Sequence, residues 1–212
     1  MGRSLLLTAA IVAARTDRTI NDLLWAKVRS TNPSMRCAMA EQPGLDLRML
    51  WELVTDKDDM VRGVAAKHLL LVIPWMERLS GDKSAQVRSE LALNPALPTH
   101  LIEFLMLDAN VSPRRAIAKR LHLPSYAIDF LGHDPDEGVR MGIAGQLLLS
   151  DEWIGMLSED CSYIVCRTIA ACPSLDKTIA RRLSNHPHHV VRDAAVLHLG
   201  LTVEQLLKRH AI

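Results

Sequence analysis

Residues 31–212 divide into seven consecutive blocks of 26 residues without insertion or deletion, beginning at Thr31, Lys57, Lys83, Ala109, Pro135, Cys161 and Pro187. A strict repeat of this length constrains the fold more than any local propensity. Each unit is a single supersecondary motif that cannot bury its apolar face alone and must stack on its neighbours. The fifteenth place is leucine in every block: Leu45, Leu71, Leu97, Leu123, Leu149, Leu175 and Leu201. The tenth place holds Ala40, Ala66, Ala92, Ala118, Ala144 and Ala170, broken only by Val196. A small residue kept in one column marks a place where neighbouring backbones approach too closely for a larger side chain. The twenty-third place is Leu53, Leu79, Leu105, Leu131, Leu157 and Leu183, and Arg209 ends it.

Within a block the apolar places are spaced by three and four on each side of a break, as in Val139, Ile143 and Ala144 and then Trp153, Ile154 and Leu157. That spacing predicts two short helices, each with one apolar stripe. The break falls at Gln42-Pro43, Asn94-Pro95 and Cys172-Pro173, where proline cannot continue a helix. Asp46, Ser150, Asp176 and Thr202 then stand as N-cap residue types for the second helix. Helices of eight to ten residues are marginal alone, so the units are expected to be stabilised chiefly by their contacts with neighbours. Block two departs from the pattern, reading His68-Leu69-Leu70-Leu71-Val72-Ile73-Pro74 through the turn, and its apolar run predicts an unusually buried segment.

The recurrent string is complete in block three as Val87-Arg88, Ala92, Asn94-Pro95-Ala96-Leu97-Pro98, Leu105 and Asp108. Repeated in phase over residues 31–212, it resembles the leucine-rich repeat variant family, a relative in style of HEAT repeats. The resemblance implies an all-α, right-handed helical-repeat solenoid of seven two-helix units (31–56, 57–82, 83–108, 109–134, 135–160, 161–186 and 187–212), the second helix partly 3-10. Residues 1–30 stand ahead of it as an N-terminal helical cap. The family's archetype carries a cysteine cluster for an iron-sulfur centre before its repeats, but no cysteine precedes Cys37 in this sequence. That cofactor is therefore not carried over, and neither cofactor nor metal is expected.

Composition limits function mainly by exclusion. A formal net charge of +1 exerts no general pull on nucleic acid or anionic membrane, so only a local basic patch argues for either. Four cysteines, at 37, 161, 166 and 172, are too few for a disulfide framework and fit a reducing, cytoplasmic setting. The stretch Leu5–Ala14 reads as a capping helix, with a secretory signal as the alternative. No apolar run approaches the ~18 residues a membrane span needs.

Two charged columns run through the repeat. The sixth place is Arg36, Arg62, Arg88, Arg114, Arg140 and Arg192, and the twenty-sixth is Asp56, Asp82, Asp108, Asp134 and Asp160. Both are expected to face the next block. Their matched signs point to a structural ladder of guanidinium–carboxylate hydrogen bonds, against the alternative of an arginine row reading phosphates. Block six places Cys166 where arginine belongs. Its Cys161, Cys166 and Cys172, with His186, His188 and His189, are thiolate and imidazole types that zinc uses, but they lack a CxxC knuckle and read first as small buried thiols. Outside the ladder, Arg115, Lys119, Arg120, Arg167, Arg181 and Arg182 form a candidate binding face in blocks four to six, against the plainer reading of a solvated surface. Trp25 and Trp51 stand 26 residues apart and read as packing rather than ligand stacking.

The sequence contains no GxGxxG, P-loop, HExxH, GxSxG or CxxC motif, and its nine histidines have no repeated nucleophile or carboxylate beside them. The expectation is a non-enzymatic scaffold that binds a protein or peptide along the solenoid surface. The alternative is a nucleic-acid-binding array, conceivably base-processing, using the basic face. Oligomeric state is left open.

Overall fold

The computed structural model describes residues 19–199, and every regular element among them is helical. In chain order these are α1 (19–28), α2 (Pro33–Ala40), α3 (Leu47–Val54), α4 (Asp59–Ala66), α5 (Ile73–Ser80), α6 (Ala85–Ala92) and α7 (Thr99–Met106). They continue as α8 (Val111–Ala118), α9 (Ser125–Leu131), α10 (Glu137–Ala144), α11 (Asp151–Leu157), α12 (Tyr163–Ala170), α13 (Lys177–Leu183) and α14 (His189–Val196). A 3-10 turn at Leu197–Leu199 follows. Each block from the first to the sixth holds one helix pair, with the break at the prolines or their equivalents. The second helices are α-helical rather than 3-10 throughout the described residues. Capping helps to hold them so: Asp46, Ser150 and Asp176 accept the backbone N–H of Arg48, Trp153 and Thr178.

The chain forms two compact units, Met1–Leu105 and Met106–Ile212. In the first, α2, α4 and α6 stack in succession, and α3 and α5 pack against the first helix of the block that follows them. In the second, α8, α10, α12 and α14 stack the same way, with α9, α11 and α13 each wedged between successive first helices. Each unit is thus a run of repeats held by nearest-neighbour contacts.

The repeated columns supply the cores. Ala66, Ala118 and Ala170 are fully buried at the tenth place, and Leu53, Leu79, Leu131, Leu157 and Leu183 at the twenty-third. Gly142 shows how tight the first-helix stack is, since a Cβ there would lie 2.8 Å from the Ala118 Cβ and 3.1 Å from its carbonyl carbon. Trp153 fills the second unit beside Gly132, which has no room for a Cβ, and its indole Nε1–H donates to Asp129 at 2.9 Å.

The expectation of a buried block-two turn is corrected. His68 and Leu71 are buried, but Leu69, Leu70, Val72 and Ile73 are exposed, Leu69 by 71%. The reason is geometric: the thirteenth and fourteenth places, here Leu69 and Leu70, form the apex of the turn between paired helices and face solvent whatever residue occupies them, and the sixteenth and seventeenth, here Val72 and Ile73, open the second helix on its solvent side. Residues 1–18, read as a cap or a signal, and Leu201, Thr202 and Arg209 of block seven lie outside the described residues. Among the described residues no helix is long and apolar enough to cross a membrane.

Candidate functional site

Each unit presents two unlike edges, one where the chain passes from block to block and one where it turns between paired helices. The first edge is a hydrogen-bonded rail. The guanidinium of Arg36 holds Asp56 bidentately, Nε to Oδ2 at 2.6 Å and Nη2 to Oδ1 at 2.8 Å. Arg62 holds Asp82 in the same way at 2.7 and 2.9 Å. In the second unit Arg114 holds Asp134 at 2.7 and 3.0 Å, and Arg140 holds Asp160 at 2.7 and 2.9 Å.

These carboxylate bonds run within a block, twenty residues apart, rather than to the next one as expected. The link between blocks comes from the third nitrogen. Arg62 Nη1 donates to the Asp56 carbonyl at 2.8 Å, Arg88 Nη1 to that of Asp82 at 2.6 Å, and Arg140 Nη1 to that of Asp134 at 2.8 Å. One aspartate therefore binds its own arginine by its side chain and the next arginine by its backbone. Its Oδ1 also accepts the backbone N–H two residues on, as Asp56 does from Asp58 and Asp82 from Ser84, each at 2.9 Å.

With these partners the Arg62 guanidinium is held above its ordinary value, chiefly by its hydrogen bonds to Asp82. Burial pushes the Asp56, Asp82 and Asp160 carboxyls up, but their arginine and backbone donors outweigh it and leave all three below the ordinary range. A carboxylate lowered in the folded state stabilises the fold above its unfolded value, near pH 4, and loses that contribution as pH falls through the lowered value. The melting temperature is therefore expected to stay nearly level from about pH 7 to about pH 5 and to fall below about pH 4. A pH series by circular dichroism checks this, with a shallower acid fall expected in Arg62→Ala.

Block six replaces both partners of the rung. The buried Cys166 thiol donates to the Asp160 carbonyl at 3.2 Å, the atom type an arginine Nη1 reaches elsewhere, and burial raises its pKa. His186 stands in the aspartate place, its Nδ1 accepting the His188 N–H at 3.0 Å. The turn is kept and the ion pair is dropped. His188 stacks on Tyr163 with ring centroids 3.9 Å apart, at the repeat places where Ser162 bonds Glu137 in the same unit and Ser84 bonds Asp59 in the first. Cys161 is exposed and Cys37 and Cys172 are half-buried. Among the described residues no three histidine, cysteine, aspartate or glutamate side chains converge as a metal would require.

The six basic residues of the candidate face do not act alike. Arg115 holds Asp136 bidentately at 2.7 and 2.6 Å, in space left by Gly138, whose absent Cβ would lie 2.6 Å from the Arg115 Nε. Arg182 pairs with Glu159 and the Ser158 hydroxyl. Arg120 is half-buried, and its burial lowers its pKa. Lys119, Arg167 and Arg181 are exposed on α8, α12 and α13 or their ends. Trp51 is partly exposed and tilts against Trp75 at 5.4 Å, while Arg29 lies 4.5 Å over Trp25.

The second edge has an element not foreseen from the sequence. The twelfth-place side chain of one block caps the first helix of the block before it. Fully buried Asn94 donates to the Ala66 carbonyl at 2.8 Å and the His68 carbonyl at 3.3 Å. Gln146 donates to the Ala118 and Arg120 carbonyls, both at 2.8 Å, and the His68 imidazole meets the Gln42 carbonyl at 2.9 Å. The Ala66 and Ala118 carbonyls end α4 and α8, where a helix leaves its last carbonyls without intrahelical partners. The asparagine of the Asn-Pro signature, 26 to 28 residues from its acceptors, was the available signal. Asn94→Ala is expected to cost about 1–3 kcal/mol in urea unfolding by leaving the Ala66 carbonyl unpaired in the interior.

This architecture matches a solved structure with a TM-score of 0.60 and 25% identity, over 80% of this chain and 67% of the other, described as a leucine-rich repeat variant with a novel repetitive protein structural motif. The chain carries the leucine-rich repeat variant fold. No family model matches the sequence, and no curated protein matches it significantly. The variant-type repeat explains why the two edges differ. One carries the Arg–Asp rail that joins blocks, and the other carries turns whose apex residues are free to vary.

At those apices the chain is unusually apolar. Leu121, Leu147 and Leu148 of the second unit are 68%, 72% and 82% exposed, and Leu69 and Leu70 project from the first. Between the turns of successive blocks lie shallow depressions. One of about 290 Å³ is lined by Ala40, Pro43, Val64, Lys67, His68 and Leu69. Another, of about 220 Å³, is lined by Leu121, His122, Leu123, Ile128, Leu147 and Leu148. Both lie between the turns of consecutive blocks, the first toward the first helices through Ala40 and Val64 and the second toward a second helix through Leu123 and Ile128.

Proposed function

We propose that this chain is a non-enzymatic binding module that takes a protein or peptide segment along its turn edges, seating aliphatic side chains in the depressions between successive turns. The observation that carries the reading is the coincidence, in both units, of exposed apex leucines with a depression between the turns of consecutive blocks. Solvent-facing turns are ordinarily polar, and clustered exposed apolar groups mark contact surfaces. The Arg–Asp rail does not compete for this role, because its guanidinium nitrogens are spent within the fold. The nucleic-acid alternative draws less support, since Arg115 and Arg182 are engaged by Asp136 and Glu159.

Panning a random-peptide phage library on the immobilised full chain tests the reading. Peptides rich in leucine, isoleucine or phenylalanine are expected to be enriched, with affinities that change little with salt. Random-sequence duplex and single-stranded DNA and RNA are expected not to bind at physiological salt. Failure to enrich apolar peptides, together with steeply salt-sensitive nucleic-acid binding lost in Arg167→Glu/Arg181→Glu, would move the function to the basic face.

A further inference from the structure

The rail edge of the first unit carries positive charge that the rail does not use. A depression of about 440 Å³ spans the junction of blocks one and two and that of blocks two and three, lined by Thr55, Lys57, Arg78, Gly81 and Lys83. The Asp56 and Asp82 carboxylates also border it, but Arg36 and Arg62 hold them bidentately. Both carboxyls lie below their ordinary range, so each rung stays ionised on both sides and neutral as a pair.

Three cations remain. Lys57, Arg78 and Lys83 are exposed, and none makes an ion pair with another described residue. The Arg78 guanidinium lies 5.8 Å from the Trp51 ring, a cation–π contact that steadies the side chain without cancelling its charge.

The repeat itself does not require these side chains. The first place is lysine only in blocks two and three, and is Thr31, Ala109, Pro135, Cys161 and Pro187 in the others. The twenty-second place is Glu52, Phe104, Phe130 and Met156 in blocks one, three, four and five, and Arg182 of block six is taken by Glu159. Columns that recur serve the stacking. A cluster of one sign confined to a single pair of junctions instead concentrates anions from solution.

Stacked helices lie about 8–10 Å apart. Lys57 and Lys83, one repeat apart, therefore set two ammonium-bearing stems along one edge, with the Arg78 guanidinium on the block between them. One phosphate group meets only part of such a row. Linked phosphoryl groups meet all of it, since ammonium and guanidinium donors both form charge-assisted hydrogen bonds with phosphate oxygens. We propose that this depression is a binding site for a small anion carrying two or more phosphate groups. The site lies on the edge opposite the turns and does not rest on the peptide-binding reading.

Gly81 offers a way to block the site without unfolding the chain. Its φ is −95°, open to any residue, and a Cβ there would come no nearer than 3.8 Å to its closest neighbour, the Arg78 carbonyl oxygen. Gly81→Glu thus brings a carboxylate to the depression. Isothermal titration calorimetry of the full chain with pyrophosphate, tripolyphosphate and inorganic phosphate, at physiological salt without divalent cations, reads the binding. Pyrophosphate and tripolyphosphate are expected to saturate one site per chain, at least tenfold more tightly than inorganic phosphate. Lys57→Gln/Lys83→Gln and Gly81→Glu should each weaken that binding at least tenfold with the melting temperature unchanged, whereas Arg167→Glu/Arg181→Glu should leave it intact.

Heats that never saturate overturn the proposal, because they report only a general ion atmosphere. Binding that survives both depression variants, or that is lost in the Arg167/Arg181 variant, also overturns it, since the anion then sits elsewhere. Inorganic phosphate bound as tightly as pyrophosphate overturns the assignment of a ligand with linked phosphate groups.

Discussion

Arg62→Ala is expected to lower the stability of the chain by about 3–5 kcal/mol, the scale for removing one partner of a buried ion pair. The Arg62 and Asp82 side chains are only 7% and 10% exposed, so little water is available to replace the lost donors. Removal costs more than one pair. Asp82 loses two side-chain donors, and the carbonyls of Asp56 and Lys57 lose the Nη1 that ties block two to block one. Arg62→Lys recovers little, because one ammonium cannot reproduce the planar fork that meets a carboxylate with two nitrogens and a carbonyl with the third. The contrast is Arg115→Ala. Its pair with Asp136 has equally short bonds, but the arginine is 45% exposed, and a loss below about 1 kcal/mol is expected. Urea unfolding of the three variants separates the rail from an ordinary surface ion pair.

The second large effect distinguishes two leucines of the same unit. Leu131→Ala is expected to cost about 2–5 kcal/mol, since the side chain is completely buried in the twenty-third-place column and its removal leaves a cavity. Leu148→Ala, at 82% exposure, is expected to change stability by no more than about 0.5 kcal/mol. The repeat already separates them, as Leu131 stands in the twenty-third-place leucine column and Leu148 at the fourteenth place, which is no apolar column. That register places one beneath the helix and the other at the apex of the turn.

That comparison shows which parts of the molecule were legible beforehand. The period, the paired helices and the alanine and leucine columns follow from spacing, because a position repeated every 26 residues meets the same neighbour each time. At the His68–Pro74 turn hydrophobicity does not mean burial. There the backbone, not residue type, decides which side chains turn outward, and the outward ones became the strongest candidate for function. The direction of the Arg–Asp bonds was also beyond spacing. The two columns are twenty residues apart in one direction and six in the other, and the structure uses both, carboxylate for the first and carbonyl for the second. The basic face dissolved for a related reason. Whether Arg115 is free depends on Asp136 twenty-one residues on and on the missing Cβ of Gly138, a three-body arrangement that no single column displays.

The account therefore assigns the two edges different work: the rail gives the array its stability, and the turns provide its contacts. The most direct test is to measure, in one assay, the binding of the peptides selected on the wild-type chain to Leu147→Ser/Leu148→Ser and to Arg167→Glu/Arg181→Glu. The account predicts at least a tenfold loss of affinity for the leucine variant and an unchanged affinity for the arginine variant, with both melting as the wild type does. Equal binding by the leucine variant, or loss confined to the arginine variant, would contradict it.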